Sequence, residues 1–459
     1  MIFANIFFMM KGRMLFQSIF EILRNCFSLS CIVWVDISIF VLSTTRQAPG
    51  LRYLLFSTTK KMTFKKSGFE NNLFNSLLKG AFATIILTLF FLFYTSGRCT
   101  LAELLMALPF FLLFYFVQFT IGRESVLQEL QKWIGKNRWN IFVFPTAMVM
   151  LYFTYLILNN QNLLEGNLWL LLYITYFPVT VFALRNQPGR KVGWLDFTVF
   201  ALVLLPGSLV SIKQNSEMPI NGNGFDSISH LIIILSGFYA FAVVRSIREV
   251  GFVPELKWKS LRTALLVWIG FYTLVFVFGR SVNFIEIIGY KDPLEMVLKS
   301  ILFTLIGTFL HTALFEELFF RGILQNMLAK RIGQGKSWRI FWLVGFLILL
   351  PGALLVGYTL EGQLKWFPAL VTILLFGCAY LLERSEKHGL GVYTSLAITG
   401  VTFGLVHYHA KSIVYIGLAC VAGWAYGYTY HKTKNVFYSA VVHTLVNTGV
   451  LIFGLKMIR

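Results

Sequence analysis

The chain has 459 residues, of which 57% are apolar and 13% are charged, and its mean hydropathy is +0.71. Forty Lys and Arg residues against 20 Asp and Glu residues give a formal net charge of +20. A soluble protein cannot bury so much apolar surface and would expose large adhesive patches. The composition therefore excludes a soluble enzyme, a nucleic-acid-binding module and a disordered chain, and it indicates a polytopic helical membrane protein.

The first 61 residues fit this class least well. The stretch 27–44 is a marginal membrane span that contains Asp36, and basic residues interrupt the apolar stretches around it. This arrangement suits neither a signal peptide nor a clean span. Met62 opens a basic segment that leads into the first strong apolar run. We expect 1–61 to be an N-terminal extension upstream of a natural start at Met62, and a genuine but poorly ordered extension is the alternative.

Apolar runs of about 20 residues, the length that crosses a bilayer, fill the rest of the chain. They lie near 75–96, 101–122, 141–158, 167–184, 195–212, 228–245, 262–279, 296–318, 340–358, 367–383, 391–409, 412–430 and 436–455. The connections between them are short and leave no room for large soluble domains. We therefore predict an all-α fold, a polytopic transmembrane helical bundle with about 13 spans.

Basic residues are concentrated in every second connection. They cluster near 60–66, 123–138, 185–191, 245–262, 330–339 and 432–434, whereas intervening connections such as 159–166 and 213–227 carry few. This alternation is the positive-inside pattern, so most of the net charge reports topology and requires no nucleic-acid partner. Membrane lipids are the expected surroundings. The short connections without appended domains favour a multi-pass protein of the plasma membrane.

The residues available for chemistry are histidines and carboxylates. The five cysteines form no CxxC pair and read as small apolar residues, which indicates neither disulfides nor a thiolate metal site. The sequence contains no HExxH zinc signature, GxSxG elbow or P-loop.

The stretch 301–330 places Glu316, Glu317 and Arg321 in one helix-length apolar segment. Glu317 and Arg321 are four residues apart and share a helix face, whereas Glu316 is turned by about 100° from Glu317. We expect Arg321 to hold Glu317 ionised while Glu316 points into a cavity. In the alternative interpretation these charged residues have no catalytic role, and they lie near a helix end from which their side chains extend to the cytoplasmic interface.

Two further polar groups follow in apolar helices. Phe403 and His407 are one helical turn apart, with His409 close by, and His443 and Asn447 share a face at i and i+4. Taken singly, such residues more often pack against a neighbouring helix or form hydrogen bonds with it. Together with the glutamates, they supply the groups needed to activate water and to stabilise an oxyanion.

The stretches EELFFR (Glu316–Arg321), FGLVH (Phe403–His407) and HTLVN (His443–Asn447) resemble the EExxxR, FxxxH and HxxxN motifs of the CAAX prenyl protease and bacteriocin-processing family. This family of intramembrane endopeptidases includes lysostaphin-resistance-like proteins. The three motifs occur in the family order, and the resemblance covers about residues 300–455.

The resemblance implies a catalytic role for each motif position. Glu316 would be the general base that activates water, and His407 would help to hold or deprotonate that water. His443 and Asn447 would stabilise the oxyanion or orient the substrate carbonyl. Glu317 and Arg321 would support the helix and shape the field around Glu316.

The resemblance leaves the metal requirement open. Glu316, His407 and His443 could form a three-ligand zinc site with an open water position. A metal-free glutamate mechanism, which we favour slightly, uses His443 and Asn447 as preformed donors instead.

The expected organisation places an N-terminal transmembrane region at 62–290 and the protease-like domain at 291–459. Arg321 and Phe403 are 82 positions apart, an interval that contains the runs 340–358 and 367–383. Because two spans return the chain to the same side of the membrane, the catalytic helices keep their relative orientation. The motif helix must also extend over about 302–330 for its glutamates to reach the histidines.

The predicted function is cleavage of a peptide bond in a membrane-associated protein or peptide. The first alternative is a polytopic secondary transporter, which the number of helices suits, although the two halves show no repeat. The second alternative is a catalytically silent membrane protein that keeps the motifs for an immunity or binding role.

Overall fold

The helices account for nearly all of the regular structure, which confirms the predicted all-α polytopic bundle. The computed structural model describes residues 66–163, 167–185, 191–209, 216–220, 224–335, 338–386 and 391–458. The predicted extension 1–61, with the hypothesised start at Met62, lies outside the described residues. The division near residue 290 stays a prediction.

The elements up to the middle of the chain are mostly apolar helices. They are α1 (Lys66–Thr95), α2 (Leu101–Thr120), α3 (Glu124–Lys136), α4 (Asn140–Leu158), α5 (Leu168–Arg185), α6 (Trp194–Leu209), β1 (Glu217–Met218), β2 (Asp226–Ser227) and α7 (Ile228–Phe238), which continues as a π-helical turn over Tyr239–Val244. The strands β1 and β2 pair antiparallel. Helix α3 was not predicted, because its mixture of charged and apolar residues is that of an amphipathic surface helix rather than of a span.

The second half contains the motif helices. Its elements are α8 (Trp258–Ser281), β3 (Ile285–Ile287), α9 (Leu294–Thr308), α10 (Leu314–Glu317), α11 (Asn326–Gly333), α12 (Trp338–Thr359), α13 (Phe367–Ser385), α14 (Val392–Val406), α15 (Ile413–Thr433), α16 (Val436–Ile452) and β4 (Leu455–Met457). The strands β3 and β4 pair antiparallel. Each predicted apolar run corresponds to a helix within a few residues, apart from the first run, whose helix starts earlier, at Lys66, and the motif helix. The motif helix extends beyond the run 296–318 and includes the range of about 302–330 that the site requires.

Eight helices in the described part of the chain are long and apolar enough to cross a membrane. They are Asn72–Thr95, Leu101–Thr120, Asn140–Leu158, Leu168–Arg185, Trp258–Ser281, Leu294–Gly333, Trp338–Thr359 and Phe367–Ser385. Large apolar side chains are exposed along the outer helices, such as Phe82 at 64% and Ile348 at 66%, as expected for a surface in contact with hydrocarbon. The figure of about 13 spans stays a prediction.

The motif helix runs from Leu294 to Gly333 as 40 helical residues, and two π-helical segments interrupt its α-helical geometry. π-Helical turns over Phe309–Ala313 and Leu318–Gln325 flank the short α10, which carries both motif glutamates. A π-turn holds one extra residue per turn and rotates the residues that follow it, and such turns often occur at functional sites. The run predicted over 296–318 therefore continues well past the glutamates.

Helices α14 and α15 cross at glycines. A Cβ atom on Gly423 would lie 2.7 Å from the carbonyl oxygen of Gly400, and one on Gly404 would lie 2.6 Å from the backbone nitrogen of Cys420. Small residues at four-residue spacing allow such backbone contact between membrane helices. The close crossing brings the aromatic side chains next to these glycines into the candidate site.

Glu383 links α13 to the start of α14. Its buried carboxylate accepts hydrogen bonds from the backbone N–H of Gly391 and, at 2.8 Å, from that of Thr394. Backbone N–H groups at a helix start lack intrahelical partners, so a carboxylate there is stabilising. The pair α12 and α13, inserted between two motifs, thus helps to position the helix that carries the second one.

The segment 245–257 wraps around the start of α16. The N–H of Val436 donates to the carbonyl of Gly251 at 2.8 Å, and the amide of Asn435 donates to that of Val253 at 2.8 Å. Gly251 has φ of +69°, and a Cβ atom there would lie 2.1 Å from a backbone oxygen just before α16. Only glycine allows both this conformation and this approach.

We predict that Gly423→Ala destabilises the bundle by about 1–3 kcal/mol, because the new methyl group meets backbone atoms that cannot move aside. Gly377→Ala is the matched control, since nothing lies within 4 Å of a Cβ atom at that exposed position of α13. Thermal unfolding of the two purified variants in detergent measures the difference. Equal midpoints would show that the helix crossing adapts to the added carbon.

Candidate active site

Glu317 lies at the centre of a buried polar cluster. Its side chain is 0% exposed, and its Oε1 lies 3.0 Å from Nδ1 of His443. The hydroxyl of Ser439 donates to its Oε2, and Nε of Arg321 lies 3.1 Å from the same oxygen. These contacts join α10, the following π-turn and α16. They occupy both carboxylate oxygens, so Glu317 has no oxygen to offer to a substrate.

Arg321 is held mainly by charge and by aromatic rings. Its guanidinium is fully buried, and its nitrogens have no hydrogen-bond partner among the described residues, so the contact with Glu317 is electrostatic. The guanidinium carbon lies 4.8 Å from the ring centroid of Phe403 and 5.8 Å from that of Tyr426. Cation–π contact of this kind is stronger away from water. Phe403, the first residue of the second motif, therefore covers the charge of the first motif.

His443 lies between the two glutamates. Its Nδ1 contacts Glu317, and its Nε2 lies 3.9 Å from Oε2 of Glu316. The ring stacks on that of Tyr426, with a centroid distance of 4.6 Å, and meets the edge of Phe403 at 5.7 Å. Because Glu317 accepts a hydrogen bond from Nδ1–H, the histidine presents its Nε2 to Glu316.

Glu316 is the carboxylate with free capacity. Its side chain is 23% exposed, and its Oε2 has no hydrogen-bond partner among the described residues although that atom is buried. Adjacent glutamates in one helix thus occupy different environments. Glu317 is enclosed and paired, whereas Glu316 faces His443 and remains partly accessible.

His407 and Asn447 complete the set of predicted site residues. Nδ1 of His407 lies 2.7 Å from the carbonyl oxygen of Phe403, and its ring lies 4.8 Å from the Phe403 ring. His407 is within electrostatic range of Glu316. Asn447 lies one turn beyond His443 on α16 and is exposed, and its side chain makes no hydrogen bond among the described residues. Phe403 thus contacts Arg321 and His443 contacts both glutamates, and the catalytic roles of His407 and Asn447 stay predictions.

A family model described as type II CAAX prenyl endopeptidase Rce1-like matches residues 298–386 and 379–449. The matched part of the chain, which we name the Rce1-like domain, is similar to this family. The resemblance inferred from the three motifs is confirmed. The match supports a CAAX-type endopeptidase in a multi-pass membrane protein. Neither a curated protein nor a solved structure matches the chain.

Two side chains of the site, Ser439 and Tyr426, lie outside the three motifs and were not predicted. Ser439 precedes His443 by one turn, so a polar stripe at i, i+4 and i+8 through Asn447 was a signal that could have identified it. Tyr426 left no such signal, because aromatic residues in apolar helices are common. Its ring becomes part of the site only through the close crossing of α14 and α15.

The zinc alternative for the Rce1-like domain stays a prediction. Glu316 and His443 approach each other to 3.9 Å, and one carboxylate with imidazoles is a donor set that suits zinc. His407 would be the third ligand, with its Nε2 available because Nδ1 faces the Phe403 carbonyl.

We predict that Arg321→Ala destabilises the Rce1-like domain by about 3–5 kcal/mol, because it leaves the Glu317 carboxylate buried without its countercharge. Adding Glu317→Gln to Arg321→Ala should recover part of this loss. Arg339→Ala, at an exposed position, serves as control and should change stability by less than about 0.5 kcal/mol. Unfolding midpoints of wild type, the single variants Arg321→Ala and Glu317→Gln, the double variant and the control, all in detergent, measure the coupling. Purely additive effects of the two substitutions would contradict it.

Proposed function

We propose that the chain is an intramembrane endopeptidase that hydrolyses a peptide bond in a membrane-associated protein or peptide. The observation that carries this proposal is the partly exposed carboxylate of Glu316 beside His443, whose other nitrogen contacts the buried Glu317. A free carboxylate next to an oriented imidazole is suited to moving protons to and from water. The Rce1-like match supports the same class of reaction.

In the proposed reaction, Glu316 accepts a proton from a water molecule while the water oxygen attacks the substrate carbonyl carbon. The carbonyl π electrons move to oxygen and form a tetrahedral oxyanion. The C–N bond then breaks, and the proton held by Glu316 passes to the leaving amine. Nε2 of His443 can accept this proton in between, and the nearby Glu317 stabilises the resulting imidazolium. The distance of 3.9 Å between Glu316 and His443 should shorten when substrate binds.

The oxyanion requires hydrogen-bond donors, and two residues supply them in this proposal. The side-chain amide of Asn447 is exposed and unpaired among the described residues, so it is available to a substrate oxygen. His443 becomes a donor at Nε2 once it holds the proton. Asn447 is a donor that is already in place when charge develops, and such donors lower the barrier most effectively. We assign to His407 the task of holding the attacking water.

The proposed substrate is a peptide segment that enters from the bilayer or its interface. Membrane-associated peptides and proteins are the substrate class that the Rce1-like family implies. We place the protein in the plasma membrane, with the basic connections on the cytoplasmic side. The helices before residue 298 are then available to guide or select the substrate.

We predict that Glu316→Gln lowers cleavage by about a hundredfold or more, because the amide cannot accept the proton. The variant should fold and insert normally, since Glu316 is partly exposed and, unlike Glu317, forms no ion pair with Arg321 among the described residues. Membranes with equal amounts of wild type and variant are profiled for shortened peptides by mass spectrometry. The substrate is then identified from products that only the wild type forms.

Glu295→Gln is the matched control for this experiment, because Glu295 is an exposed glutamate at the start of α9 in the same long helix. It should retain full cleavage. Identical product profiles for wild type and Glu316→Gln, with both proteins inserted, would contradict the proposal. Altered proton-coupled uptake in the variant would instead support the transporter alternative.

For Asn447→Ala we predict a fall in kcat of about 100-fold to 1000-fold with little change in KM, as for loss of an oxyanion donor. The unfolding midpoint should stay unchanged, because the side chain of Asn447 is exposed and makes no hydrogen bond among the described residues. Kinetics on the identified substrate, together with thermal unfolding, test this prediction. A loss of stability that parallels the loss of activity would mean that Asn447 is a packing residue.

A further inference from the structure

A second cluster of ionisable side chains lies apart from the candidate active site. Asp226 of β2, His230 of α7 and His311 of the π-turn Phe309–Ala313 each offer one potential ligand atom, and these atoms lie within 4.8 Å of one another. Oδ1 of Asp226 is 3.1 Å from Nδ1 of His230 and 3.1 Å from Nδ1 of His311. None of the three residues belongs to a motif that the sequence analysis identified.

The two separations from Asp226 fit a single bound metal ion. With ligand bonds of about 2.0–2.1 Å to zinc, neighbouring ligand atoms of a tetrahedral site lie about 3.3 Å apart. The two distances of 3.1 Å from Asp226 are close to this value. Two imidazoles and one carboxylate also form a donor set typical of first-row transition metals.

The surroundings of Asp226 resemble the outer shell of a metal site. The hydroxyl of the fully buried Tyr115 donates to Oδ2 of Asp226 at 2.6 Å, and the backbone N–H of Ser227 donates to Oδ1 at 2.7 Å. Such hydrogen bonds fix the orientation of a ligating carboxylate. The carboxylate itself is 1% exposed and therefore needs positive charge nearby.

We propose that Asp226, His230 and His311 bind one divalent transition-metal ion of the zinc class. The side chain of His311 is 52% exposed, so the cluster opens on that side to the ion and to a fourth ligand. The bound ion holds the π-turn that ends three residues before Glu316 against the start of α7. It therefore ties the helix of the candidate general base to the N-terminal half of the protein. The proposal is independent of the proposed peptidase activity.

The test measures metal content rather than activity. The full-length chain is purified in detergent, loaded with Zn²⁺, desalted with a weak chelator and analysed for zinc by elemental analysis. Wild type should retain about one Zn²⁺ per chain, and His311→Gln should lose it. His431→Gln, which alters a histidine outside both clusters, should retain the zinc. Only monodisperse protein is analysed, so a misfolded variant is not mistaken for one that lacks the site.

Two further measurements sharpen the result. Loading with Co²⁺ should give wild type the visible absorption bands of a low-coordinate site, and these bands should be missing in His311→Gln. Tyr115→Phe removes only the hydroxyl that orients Asp226 and should weaken Zn²⁺ binding by about 10-fold to 100-fold.

The proposal is overturned if wild type retains no zinc and shows no cobalt bands after loading. In that case Asp226 is a carboxylate hydrogen-bonded to two histidines. Zinc that is lost in His443→Gln but retained in His311→Gln would also overturn the proposal, because it would place the ion at the candidate active site.

Discussion

The buried charge of Arg321 is the constraint on which the C-terminal region depends. Its guanidinium has no hydrogen-bond partner among the described residues, so it relies on the carboxylate of Glu317 and on the faces of aromatic rings. A charge in such surroundings is costly unless its partners remain in place. Because Phe403 and Tyr426 come from different helices, this requirement holds α14 and α15 against the motif helix. The charge of Arg321 thus organises the three motifs as one unit.

The same constraint separates the roles of two neighbouring glutamates. Glu317 is engaged by Arg321, Ser439 and His443, and it has no oxygen left for chemistry. Glu316 lies about 100° further round the helix and escapes this network. Elements outside the motifs support the arrangement: the carboxylate of Glu383 secures the start of the FxxxH helix, and the segment 245–257 secures the start of the HxxxN helix.

Much of the fold could be predicted because hydrophobic runs of bilayer length leave few structural choices. In a membrane, backbone groups must be satisfied within the segment, so a long apolar run becomes a helix. The six candidate residues could be named for a similar reason, since polar groups in apolar helices are conspicuous. The helix α3 has a local amphipathic pattern, but a search for apolar runs of bilayer length does not find it. The short strand pairs and the π-turns could not be predicted, because no local pattern of residues specifies them.

Residue order and hydropathy by themselves determined that this chain is a polytopic helical membrane protein with its polar groups collected in three C-terminal motifs. The spacing of four residues also determined that Glu317, rather than Glu316, can face Arg321. Only the tertiary structure decided that Phe403 and Tyr426 cover this arginine and that His443 reaches both glutamates. Only the tertiary structure brought Asp226 and His230 to His311, because these contacts join segments that lie 81 to 85 positions apart in the chain. Local physics sets which residues share a helix face, whereas packing between helices sets which faces meet.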